Sequence, residues 1–199
     1  MTNQELASRL SDWMDKITAN TLALSFNQII DMQLEQELDE LNKKAQQQSL
    51  LDIGSQKQRQ AILALISGLY IWNGSMDNSH KILQDMENKT GSYLHGLLHR
   101  MEPDYSNAKY WFRMAGVHPR GEQVQQGTLE ILRDSNSGNS ILFQRFSREK
   151  SWNPELLTDI IAATLKSPLN ADEVTILEQI QAIELRLLME TVLRELDNS

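Results

Sequence analysis

The chain has 199 residues, enough to bury one core without disulfides or metal staples. Its 9 glycines, 4 prolines and 40% hydrophobic content suit a helix-rich fold better than a disordered or all-β one. Lys plus Arg number 19 against 27 Asp plus Glu, and the net charge of −8 argues against nucleic acid and anionic lipid as partners, while the lack of cysteine excludes thiol nucleophiles, disulfides and Cys-ligated metals.

In chain order, Thr2-x-x-Glu5 has the form of a capping box, and Leu6, Leu10, Trp13 and Ile17 then recur at helical spacing, which predicts a helix to about Thr18. From Leu22 the pattern runs through Phe26, Ile29, Ile30, Leu34, Leu38 and Leu41 and predicts a second, long helix. Ser55-x-x-Gln58 offers a new cap for a third helix that stops near Gly74.

Between Gly68 and Gly116 the chain resembles itself. Gly68-Leu69 with Asp77 to Lys81, and Gly96-Leu97 with Asp104 to Lys109, are offset by 27 to 28 residues, and each unit reads as helix, turn, cap, helix. This predicts two short hairpins of tetratricopeptide type inside one globular domain, since two units are too few for a free-standing solenoid. Asp134 to Ser140 is the most loop-like stretch, Asn153-Pro154 and Asn170-x-x-Glu173 cap two further helices, and no segment alternates with period two. The expected architecture is a single all-α domain. Its N-terminal helices occupy 1–58, a His-rich hairpin core 59–120, a partly flexible connection 121–150 and C-terminal helices 151–199.

All four histidines, His80, His95, His99 and His118, fall within 39 residues. From His80 to Arg120 the chain carries +2 while the remainder carries −10, so a locally basic segment sits in an acidic protein and can focus a small anion. His95-x-x-x-His99 places two imidazoles on one helix face, with Glu102 one turn on before Pro103, and two His plus a carboxylate can ligate zinc, iron or manganese. Gly96 stands where a zincin protease has its glutamate, so that motif is absent. His80 pairs with Gln84 at i,i+4, and Asn107 holds in the second hairpin the place of His80 in the first. A His near neutrality serves as general acid or base, whereas a buried His hydrogen-bonded to a neighbour is the purely structural alternative. Asp104 reads as an N-cap, Phe112 as core, and Trp111 is left open. No phosphate loop, nucleophile elbow or kinase signature is present, so no nucleotide cofactor is expected.

The block Thr90-Gly91-Ser92-Tyr93-Leu94-His95, His99-Arg100-Met101-Glu102-Pro103-Asp104-Tyr105, Asn107-Ala108-Lys109-Tyr110-Trp111-Phe112-Arg113 and Gly116 with His118-Pro119 resembles a family of uncharacterised bacterial and fungal proteins that carry a TGSYWH…HRREPDY…NAKYWFR…GxHP block. The resemblance extends from about residue 65 to 190 and includes Asp77, Ser79-His80, Gln84, Trp152-Asn153-Pro154, Asp159, Gln181, Glu184 and Leu187-Leu188. Leu94 and Met101 depart from it, standing where the family has Trp and Arg. It implies weight for the block and no particular activity.

The reading is a small-molecule protein whose central hairpins bind or transform an anionic metabolite. His80, His95 and His99 are the catalytic candidates, and His95, His99 and Glu102 are a possible divalent-metal set. Gln84, Arg100, Glu102, Asn107, Lys109, Arg113 and His118 are the ligand-binding candidates. The alternative is a non-enzymatic helical interaction module; histidines converging on one concavity favour the first, and histidines spread along a groove the second. Met1 to Glu5 shows no basic region followed by an apolar run, and no stretch approaches the ~18 apolar residues of a membrane span, so a soluble cytoplasmic protein is expected.

Overall fold

The computed structural model describes residues 3–18, 21–26, 28–46, 55–135, 141–164, 166–167 and 170–197. These form ten α-helices and no strand: α1 Asn3–Thr18, α2 Met32–Gln46, α3 Gln56–Trp72, α4 Met76–Leu83, α5 Lys89–Met101, α6 Tyr105–Ala115, α7 Gly121–Asp134, α8 Ile141–Ser147, α9 Pro154–Thr164 and α10 Ala171–Asp197. The all-α reading holds.

Side-chain caps set most helix starts. Ser55 accepts from the Gln58 N–H at 3.2 Å ahead of α3, Asn88 from Gly91 at 2.8 Å ahead of α5, and Asn153 from Leu156 at 3.1 Å where Pro154 opens α9. Asn170 and Glu173 exchange reciprocal side-chain to backbone bonds of 2.9 and 3.2 Å, a full capping box before α10. The box expected at Thr2 and the turn-rich residues 136–140 lie outside the described residues.

One expectation needs correcting. The helix anticipated from Leu22 begins only at Met32, because Ala23, Phe26, Ile30 and Asp31 before it bond to remote groups. Phe26 N–H donates to Met101 O at 3.2 Å, Ile30 N–H to Asn73 O at 2.9 Å, and Gln181 Nε2 to Ala23 O at 2.7 Å. Asp31 then caps α2, accepting from Gln33 and Leu34 N–H at 2.8 and 3.0 Å. The connection expected over 121–150 is built mainly of α7 and α8.

Two apolar clusters lie along α10. One gathers buried side chains from α1 to α6 and from Leu185, Leu188, Met189, Val192 and Leu196 on α10; the other joins α7, α8 and α9 to Ile176, Leu177, Ile180 and Leu187. Helix α4 is eight residues long and packs on both α3 and α5, while α5 packs most extensively on α6. That last approach depends on Gly96, where a Cβ would meet Phe112 Cδ1 at 2.7 Å. Gly74 turns the chain between α3 and α4 at φ +80°, against the Gln28 carbonyl oxygen, which a Cβ would meet at 2.3 Å. None of the described helices is long and apolar enough to cross a membrane.

Candidate functional site

Helix α5 is buried on every side from Gly91 to Met101, although it carries His95, His99 and Arg100. Buried polar groups find partners, so each of these side chains has to be accounted for.

Arg100 is fully buried and serves the fold. Its Nε donates to Gln181 Oε1 at 2.9 Å and its Nη2 to Glu184 Oε2 at 2.5 Å, both acceptors on α10. The other Glu184 oxygen accepts from Tyr93 OH at 2.6 Å and from Trp152 Nε1 at 3.0 Å. Burial and the Glu184 carboxylate hold the Tyr93 phenol well above its ordinary pKa, so it stays a protonated donor.

His99 is bonded on both nitrogens. Glu102 Oε2 lies 2.6 Å from Nδ1, and Asn107 Nδ2 lies 3.1 Å from Nε2. An ionised carboxylate only accepts, so Glu102 fixes the ring proton on Nδ1 and leaves the lone pair on Nε2, where the Asn107 amide donates to it.

His95 is the exception. Its side chain is buried, and neither ring nitrogen has a hydrogen-bond partner. Trp72, Arg100 and Gln125 each leave one buried polar atom unpaired; among the described residues His95 alone leaves two. Its ring lies flat between Trp111, at 4.2 Å and 14°, and His99, at 4.7 Å and 16°. Burial foremost, then the neighbouring His99 and His80, push its pKa down to about 4, so His95 is neutral at physiological pH.

His80, half-buried on α4, completes the group edge-on, with ring centroids 5.0 Å from His95 and 5.5 Å from His99. One ligand-capable nitrogen from each of His80, His95 and His99 falls within 4.8 Å of the others. Around zinc, with Zn–N near 2.1 Å, such nitrogens sit about 3.4 Å apart, so the nitrogens would close by at most about 1.4 Å, and the stacked His95 and His99 rings would have to turn as well, because an imidazole binds an ion in its ring plane. Helix α4 supplies His80, α5 supplies His95 and His99, and α6 covers them with Asn107 and Trp111, one turn apart.

The remaining candidates sit differently. Glu102 lies against His99 Nδ1, and among the described residues the group that could hold a metal ion is His80, His95 and His99, without Glu102. Arg100, Lys109 and Arg113, expected to hold an anion, are each committed to a carboxylate: Arg100 to Glu184, Lys109 to Asp159 at 2.8 Å, Arg113 to both oxygens of Glu155 at 3.2 and 2.6 Å. His118 is buried apart from the trio, with Nε2 3.1 Å from Glu184 O and Nδ1 accepting from Arg120 N–H at 3.0 Å. Gln84 is exposed, and no bond ties its side chain to His80. A concavity of roughly 380 Å³ opens among α2, α3 and α4, lined by Gln46, Arg59, Lys81 and Asp85, and none of the three imidazoles lines it.

Trp111 is the site residue whose place the sequence left open. Its signal was the i,i+4 spacing from Asn107, which puts both on the α6 face that covers His95 and His99. Comparison of the chain with family models, with curated proteins and with solved structures finds no match, so the reading of this site rests on its own geometry.

Proposed function

We propose that His80, His95 and His99 hold a divalent transition-metal ion, zinc foremost, and that the position left open on it binds or transforms a small anionic metabolite. The observation that carries this reading is the convergence of three imidazole nitrogens within 4.8 Å around a buried His95 with no partner for either nitrogen. Leaving buried polar atoms unpaired costs about 1–3 kcal/mol each, and a metal ion would remove that cost at one of them. Three nitrogen donors suit zinc, and the Glu102–His99 pair has the form of the carboxylate–histidine arrangement found behind metal ligands.

Three neutral imidazoles leave an ion its full double charge, which attracts an anion and acidifies a bound water. The basic side chains first assigned to the anion are neutralised by carboxylates, so the ion itself supplies the attraction. Partial exposure of His80 gives a small ligand its approach.

The test is a zinc-dependent rise in melting temperature, since an ion that binds only the native state stabilises it by mass action. Wild type is expected to gain stability with zinc, and His80→Gln, altered at the least buried of the three, to keep its metal-free melting temperature and lose most of that gain. No rise in wild type, or the same rise in the variant, would remove the reading.

A further inference from the structure

We infer that Asn107 is the residue that selects the ligand, its side-chain amide donating to the second oxygen of a small carboxylate whose first oxygen occupies the open metal position. This rests on the metal centre proposed above. The Asn107 Nδ2 now lies 3.1 Å from His99 Nε2, the lone pair that Glu102 leaves free for an ion. An ion bound there displaces the amide from that lone pair and leaves an unpaired donor within a hydrogen bond's length of the coordination sphere. Asn107 is the polar residue of α6 on this side; Trp111, one turn further, is taken up by the face of His95. The backbone N–H of Asn107 is tied to Asp104 Oδ1 at 3.3 Å, which holds this end of α6 in place. A carboxylate has two oxygens a short distance apart, so one can meet the ion while the other accepts from Nδ2. A linear anion that binds through one end presents no second oxygen to the amide.

The full chain loaded with cobalt(II) reports anion binding through its visible absorption. Acetate and thiocyanate are the probes, titrated into wild type, Asn107→Leu and Asn107→Asp. A hydrogen bond to a charged acceptor is worth about tenfold or more in affinity. Asn107→Leu is therefore expected to weaken acetate by about tenfold and to leave thiocyanate within about twofold. Asn107→Asp, which keeps the shape of the side chain and adds a negative charge, is expected to weaken acetate further. If both anions weaken equally in Asn107→Leu, or neither does, Asn107 only ties α6 to α5 and the inference is overturned while the metal centre stands. If wild type takes up no cobalt, the centre and the inference fall together.

Discussion

Substituting Glu184 by Gln tests how the site is anchored, because this residue fixes the far end of the helix that carries His95 and His99. Its fully buried carboxylate compensates the fully buried Arg100 and accepts from Tyr93 and Trp152 as well. A glutamine keeps the shape but removes the charge, and its single carbonyl oxygen cannot serve both sets of donors. The loss therefore includes an uncompensated guanidinium inside the protein, for which breaking a buried pair costs about 3–5 kcal/mol. For a chain of this size each kcal/mol moves the midpoint by about 2–4 °C, so a fall of roughly 6–20 °C is expected. Urea denaturation followed by far-UV circular dichroism gives the free energy, and a thermal scan gives the midpoint. The double variant Arg100→Met with Glu184→Gln should recover part of the loss, since it removes the stranded cation. A loss below about 1 kcal/mol in Glu184→Gln, or a double variant worse than the sum of the singles, would refute the buried-brace reasoning.

Three further outcomes follow from the same geometry. Gly96→Ala drives a methyl into Phe112 and pries α5 from α6; a loss of about 1–3 kcal/mol is expected by chemical denaturation, together with weaker zinc uptake, and a neutral substitution would contradict the close approach. His95 titrates near 4 when folded and near 6.5 when unfolded, so below 6.5 the unfolded chain binds the extra proton and metal-free stability falls as the pH drops from 6.5 towards 4. Burial lowers His118 as well, so it adds to the fall in the same direction. Denaturation at pH 7 and pH 5 in wild type and His95→Gln should show a smaller pH dependence in the variant, and an equal one would sink the assignment. Arg113, exposed and bound to Glu155, should be replaceable by Ala with no measurable change in melting temperature or in acetate affinity of the cobalt-loaded protein; loss of that affinity would restore Arg113 as an anion holder.

Much of the fold was legible because its signals are local. Ser55, Asn153 and Asn170 announce their helices by cap chemistry that needs only the next three residues. His95 and His99 share a helix face by spacing alone, whereas the contact of His80 with both rings is made across helices and follows from no local spacing. The segment 22–31 misled because its apolar spacing is helical while its backbone partners, Asn73, Met101 and Gln181, are distant in the chain. The same distance hid the roles of the basic residues: Arg100 meets its carboxylate 84 positions away, Lys109 at 50 and Arg113 at 42. One signal was available, since Gln181 and Glu184 sit among the core-facing residues Ile180, Leu185 and Leu188 of α10, and buried polar residues in that place require a buried partner.

The most direct measurement of the central claim is the metal content of the full chain purified without a polyhistidine tag, then equilibrated with zinc and dialysed. The proposed metal centre predicts close to one zinc per chain, which is lost from His95→Gln and His99→Gln while both variants keep their helical circular dichroism, and an anomalous zinc peak between the three imidazoles in crystals of the wild type. No retained zinc in wild type, or equal retention in both variants, would contradict it.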